Sequence, residues 1–120
     1  MFGAKQPKLE IIIGAESAIK GDIISKGTVR IDGGVEGNIT ADCLIISEKG
    51  GVTGDAVVRQ IVVGGNMVGT IRASESAEIQ RTGDVRGDIV AARLAIADGG
   101  RFEGHSSMMA AKEITYESGS

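Results

Sequence analysis

The sequence predicts an all-β fold, a single-chain parallel β-solenoid of about six short coils with a brief tail at each end. Three observations carry that expectation. The pattern apolar, any residue, Gly, small polar residue, apolar recurs along nearly the whole chain. A second series of apolar–x–apolar triplets keeps the same spacing between those copies. The third is composition. Hydrophobic residues make up 42 % of the chain, yet its rings are confined to Phe2, Phe102 and Tyr116, with no Trp. A compact domain normally fills its centre with several aromatic rings. A core of Ile, Val, Leu and Ala suits a narrow interior built from repeated thin layers.

The first marker runs Ile19-Lys20-Gly21-Asp22-Ile23, Val35-Glu36-Gly37-Asn38-Ile39 and Val52-Thr53-Gly54-Asp55-Ala56. It continues as Met67-Val68-Gly69-Thr70-Ile71 and Val85-Arg86-Gly87-Asp88-Ile89, then weakens to Phe102-Glu103-Gly104-His105-Ser106. Its glycines step by 16, 17, 15, 18 and 17 residues. The triplets close on Ile31, Ile46, Val63, Ile79 and Ile96, which step by 15, 17, 16 and 17. Two independent markers with one period indicate a structural repeat. Alternating apolar positions indicate strands, because successive strand side chains point to opposite faces.

Each unit divides into three pieces: one ending in the triplet, one ending at the motif Gly, and one with inward positions two and four residues after it. Those last positions pair large with small, as in Ile39/Ala41, Ile71/Ala73 and Ile89/Ala91. Stacked coils hydrogen-bond at ~4.8 Å, so six form a rod about 29 Å long. No coil buries its apolar side alone, and stacking supplies the stability. Gly33-Gly34, Gly50-Gly51, Gly64-Gly65 and Gly99-Gly100 separate the first and second pieces, where the chain is expected to turn with positive φ. From triplet end to motif Gly the gaps are 8, 6, 8, 6, 8 and 8, so two turn sizes are expected.

The net charge of −3, with both signs dispersed, does not favour nucleic acid, whose phosphates want a basic face. One cysteine, Cys43, fits a reducing compartment and reads as a small side chain at a corner. No apolar run approaches the ~20 residues of a membrane-spanning helix, and the first residues lack the apolar stretch of a signal peptide. A cytoplasmic location is expected. The row Asp22, Asn38, Asp55, Thr70, Asp88 could offer oxygens to Ca²⁺. Its alternate neutral members instead suggest acceptors for turn amides, so no metal is expected. Lys20 beside Glu36 and Arg86 beside Glu103 read as exposed pairs between coils, worth ~0–1 kcal/mol each. His105 is the only histidine and lies in the degraded last coil. No nucleophile–base set accompanies it, so neither a catalytic residue nor a cofactor is expected.

Three regions are candidates for contacts. The ends lack polar caps: Ile11, Ile12 and Ile13 open the first coil, and Phe102, Met108 and Met109 close the last. Uncapped strand edges invite another rod to add on. Ile11, Ile13, Phe102 and Met108 are therefore the expected polymer contacts, with Phe102 foremost. The middle residues of the triplets, Arg30, Ile45, Val62, Glu78 and Ala95, should face outward. Ile45, Val62 and Ala95 then form a lateral surface for a partner or a neighbouring filament. Met1 and Phe2 with Lys5 and Lys8 combine apolar and basic character suited to an anionic leaflet. The expected organisation is a flexible N-terminal tail over 1–10, a polymerising solenoid over 11–109 and a flexible C-terminal tail over 110–120.

Over about residues 11–106 the chain resembles a bactofilin, through the apolar–x–Gly–[Asp/Asn/Thr]–apolar repeats, Phe102-Glu103-Gly104-His105 and the Met1-Phe2…Lys5 start. The resemblance implies a right-handed, triangular β-helix that polymerises without nucleotide into non-polar bacterial cytoskeletal filaments. It further implies like-to-like joints and a scaffold for cell-shape and wall-synthesis factors at the inner face of the membrane. Two other readings compete. A left-handed β-helix acyltransferase would show strict 18-residue hexapeptide coils and a mid-rod catalytic His; the coils here run 15–18 and the His is terminal. A monomeric adaptor would use only the outward face.

Overall fold

The computed structural model describes residues 9–108 and contains twelve strands, all paired in parallel. The strands are β1 (Leu9–Ile13), β2 (Ala18–Lys20), β3 (Ile23–Ile24), β4 (Thr28–Ile31), β5 (Gly34–Glu36), β6 (Ile39–Thr40), β7 (Cys43–Ile46), β8 (Gly51–Thr53), β9 (Ala56–Val63), β10 (Asn66–Ile79), β11 (Asp84–Ile96) and β12 (Arg101–Met108). In the first two coils each face has its own short strand. From β9 onward strands bend through the corners: β9 and β12 serve two faces each, and β10 and β11 serve three, which is why they are long.

Three ladders result, one per face, and they match the three pieces of the repeat. The first face stacks Ile11, Val29, Leu44, Ile61, Ala77 and Leu94 in register, and beside them Ile13, Ile31, Ile46, Val63, Ile79 and Ile96. The second stacks Ile19, Val35, Val52, Met67, Val85 and Phe102. The third stacks Ile23, Ile39, Ala56, Ile71, Ile89 and Ser106. These inward rows form one continuous apolar core, and in the middle coils its side chains are fully buried. The third face tapers from Ile39 to Ala41, from Ile71 to Ala73 and from Ile89 to Ala91, and runs the other way, from Ala56 to Val58, in the third coil.

Glycine placement departs from the expectation. The positive-φ glycines are those of the motif, Gly21, Gly37, Gly54, Gly69, Gly87 and Gly104, with Gly99 as the sole member of the Gly-Gly pairs. The motif glycines form the corner between second and third faces, where φ lies between 130° and 149°. At Gly33, Gly50 and Gly65 the reason is close approach. A side chain at Gly33 would strike the Ser17 and Gly14 carbonyls, and one at Gly65 the Gly50 and Ser47 carbonyls. The two expected turn sizes are present. Long turns close with hydrogen bonds from Ser17 to Gly14, Gly50 to Ser47, Gly83 to Gln80 and Gly100 to Ala97. The short turns at Gly33 and Gly65 nest against the long turn of the coil before, and bare glycine allows it.

Candidate functional site

At the far end of the rod the interior is open. Ile79 is wholly buried by the coils on either side of it. Ile96 occupies the same row one coil later and is 45 % exposed. Ala91 is buried in the fifth coil, whereas Met108, its partner in the sixth, is 66 % exposed. Leu94 and Phe102 are half-buried, packed against the core from one side only. Among the described residues, β12 pairs only with β11. The last coil therefore presents a layer of interior side chains and a row of strand groups that no other described residue covers.

The opposite end is less open. Ile13 is buried within its own chain and Ile11 is half-buried, so of the two only Ile11 offers surface. Ile19, an inward residue of the second face, is the more exposed there. Sequence reasoning named Phe102 and Met108 but passed over Ile96 and Ile19. Both were legible as the terminal members of inward rows.

The triplet middles do face outward, and they stack in register as Ile12, Arg30, Ile45, Val62, Glu78 and Ala95. Ile12, Arg30, Glu78 and Ala95 are exposed; Ile45 and Val62 are half-buried among their neighbours. The third face carries further exposed apolar residues, Ile24 and Val57, that the sequence reading did not single out. Met1, Phe2, Lys5, Lys8 and Met109 lie outside the described residues.

The polar rows serve the stacking. Asp22 accepts a hydrogen bond from the Asn38 amide (3.1 Å), and the Asn38 side chain accepts one from the Asp55 amide (3.4 Å), as expected of that row. Lys20–Glu36 (4.0 Å) and Arg86–Glu103 (3.9 Å) are the expected exposed pairs between coils. A stronger clasp, unforeseen from the sequence, lies at the corner between the third and first faces. Arg59 donates through Nε and Nη2 to both oxygens of Asp42 (2.8 and 3.0 Å) and through Nη1 to Glu75 (2.9 Å). One guanidinium thus ties three successive coils, with the planar, two-pronged geometry that makes Arg–carboxylate pairs strong. The hydrogen bonds from Arg59 hold the Asp42 carboxyl below its ordinary range. Ser47 and Arg30 do the same for Asp32.

Cys43 sits half-buried at this corner as expected. Burial first, and then the negative charge of Asp42, push its thiol up, so it stays protonated near neutral pH. His105 is exposed and lies 3.8 Å from Asp88 on the neighbouring coil, as an end-coil surface residue. Among the described residues no helix is long and apolar enough to cross a membrane.

A parallel β-solenoid with an apolar core that runs open to its last coil is a module for stacking on its own kind or on another strand edge. A family model described as "Bactofilin: Polymer-forming cytoskeletal" matches residues 11–107. The chain belongs to the bactofilin family of structural, polymer-forming cytoskeletal proteins. It is 36 % identical over 98 residues to bactofilin BacP of Myxococcus xanthus (strain DK1622), covering 81 % of this chain and 41 % of that protein. It is 34 % identical over 98 residues to bactofilin BacO of the same organism, covering 81 % of this chain and 78 % of that one. The match thus spans less than half the length of BacP. The fold is similar to a cryo-EM reconstruction of Thermus thermophilus bactofilin double helical filaments. The TM-score is 0.73 at 24 % identity, over 82 % of this chain and 99 % of the other.

Proposed function

We propose that this chain assembles end to end, without nucleotide, into non-polar filaments. In this reading the filaments scaffold cell-shape or wall-synthesis factors at the inner face of the cell membrane. The observation that carries it is the contrast between the last two coils, where the row that buries Ile79 leaves Ile96 45 % exposed. Fully burying an Ile or Met side chain stabilises by about 1.5–3 kcal/mol. Covering Leu94, Ile96, Phe102 and Met108 together, while pairing the free edge of β12, supplies a driving force that needs no hydrolysis. The double helical filaments of the Thermus thermophilus bactofilin support the same reading and add lateral association to it. Membrane contact rests on Met1, Phe2, Lys5 and Lys8: one tail binds weakly, and many copies on a filament bind by avidity.

Sedimentation and negative-stain microscopy test assembly. Wild-type protein is expected to pellet as filaments without nucleotide, and Ile96→Asp and Phe102→Asp to stay in the supernatant with unchanged circular dichroism. Wild-type protein that forms no filaments over a range of salt, or variants that still polymerise, would overturn the proposal. For the tail, wild-type filaments should co-sediment with anionic liposomes and Phe2→Glu filaments should not; equal binding removes the membrane assignment.

A further inference from the structure

The outward row of the first face is self-complementary when read from its two ends. In order it is Ile12, Arg30, Ile45, Val62, Glu78, Ala95. Turn a second copy upside down against it, about a two-fold axis along the strands between the third and fourth coils. Each coil then meets its opposite number: Ile12 faces Ala95, Arg30 faces Glu78, and Ile45 faces Val62. The neighbouring row follows the same rule. There Cys43 faces Gln60, both half-buried, and buried Thr28 lies opposite Ser76. On the other side of the central row Asp32 meets Gln80 and Ser47 meets Gly64, with no like charges opposed. A parallel pair about the rod axis would instead set Arg30 on Arg30 and Glu78 on Glu78. Like charges face to face disfavour that arrangement.

From this order we propose that the first face is a lateral interface with a second copy of this chain, in antiparallel orientation, and that it joins two filaments side by side. The proposal rests on the filament reading above. Glu78 takes part in none of the ion pairs among the described residues, so its charge is available. Arg30 uses its Nε on Asp32 (3.0 Å), which leaves its Nη groups for a carboxylate across the interface. The second face has a similar sign order, Lys20, Glu36, Thr53, Val68, Arg86, Glu103, but its charges are already paired along their own rod. Its centre would also set Thr53 on Val68, whereas the first face sets Ile45 on Val62. The third face fails outright, because Val57 would meet Arg72.

Area decides when the face works. Five residues across and six coils tall, it measures about 15 by 29 Å, or on the order of 400 Å² per copy. A stable pair normally buries about 800 Å² on each partner. Two single rods therefore do not hold together by this face. Two filaments do, because end-to-end joints repeat the contact many times and convert later contacts into intramolecular ones.

Charge reversal tests the pairing. Arg30 and Glu78 of one chain are three coils, about 14 Å, apart, beyond the ~8 Å over which exposed charges act at physiological salt. Any compensation between them must therefore pass through a second rod. Negative-stain microscopy should show paired filaments for wild type, single filaments for Arg30→Glu and for Glu78→Arg, and pairs again for the double variant Arg30→Glu/Glu78→Arg. Pairs that persist in both single variants, a double variant that stays single, or wild-type filaments that never pair overturn this interface and leave end-to-end assembly standing. Wild type without any filaments overturns both. A second arm depends less on charge. In a Cys43→Ser background, mixing Arg30→Cys with Glu78→Cys chains should give a disulfide-linked dimer on oxidation, with little from either chain alone, because like positions lie about 14 Å apart in the antiparallel pair. Dimers from Arg30→Cys alone would show parallel pairing and refute the antiparallel one.

Discussion

The glycine ladder allows the stacking to be tested at one atom. Gly21 and Gly54 have nearly the same backbone, with φ of 137° and 139°. Their surroundings differ. A Cβ at Gly54 would run into the backbone carbonyl of Gly37, whereas one at Gly21, in the first coil, meets no described residue within 4 Å. Substitution by Ala therefore imposes the same conformational strain at both sites, about 1–3 kcal/mol for a side chain held in that region. At Gly54 it adds a collision with rigid backbone, and overpacking of that kind costs about 1–3 kcal/mol or more. Gly54→Ala should thus be the less stable variant by at least about 1 kcal/mol, which for a domain of this size lowers the melting temperature by a further ~4–8 °C. Thermal melts would be compared in the Phe102→Asp background, because assembly stabilises the folded state by mass action and would mask the difference. Equal melting temperatures for the two variants would refute the reasoning, since they would mean that contact between coils at the motif glycine is slack. Gly21 carries a corollary. Its vacant Cβ direction corresponds to the one that points at the preceding coil elsewhere in the ladder, so in a polymer it points towards whatever covers the first coil.

Three more outcomes follow from the same contacts. Ile46→Asp places a carboxylate in a row that is fully buried and stacked between Ile31 and Val63; circular dichroism at 25 °C should show loss of the solenoid rather than a shifted melt. Asp42→Asn should lower the melting temperature at pH 7, with the difference vanishing in acid. Its folded-state pKa lies below the ordinary 3.8, so the clasp's contribution is complete above that value and disappears as pH falls through the lower one. A wild-type and variant gap that persists at pH 2 would remove Asp42 from the clasp. Cys43 should react with iodoacetamide more slowly than a free thiol at pH 7.5, because burial and Asp42 both oppose its thiolate; mass spectrometry after timed quenching reads the rate.

Much of this molecule was legible in the repeat. Coil number, the three faces, the inward rows, the alternation of turn size and the pairs Lys20–Glu36 and Arg86–Glu103 all follow from one rule: a residue one period away is a neighbour. That rule holds because side chains alternate along a strand and identical strands stack in register. The Arg59 clasp obeys it too, since Asp42 and Glu75 lie 17 and 16 residues away. It escaped notice because three different residue types share no motif. The missed exposure of Ile96 has another cause. A row pattern shows which side chains point inward, but only an end without a further coil leaves one uncovered.

By itself, then, the sequence determined the class of fold, its period and the identity of its core, all consequences of local alternation repeated along one axis. Only the tertiary structure decided which glycines bend the backbone and which merely make room. It also decided how far each terminal side chain is left open, and that one arginine spans three coils. These depend on how closely one coil's backbone approaches the next, a distance set by the packed stack and not written in any single repeat.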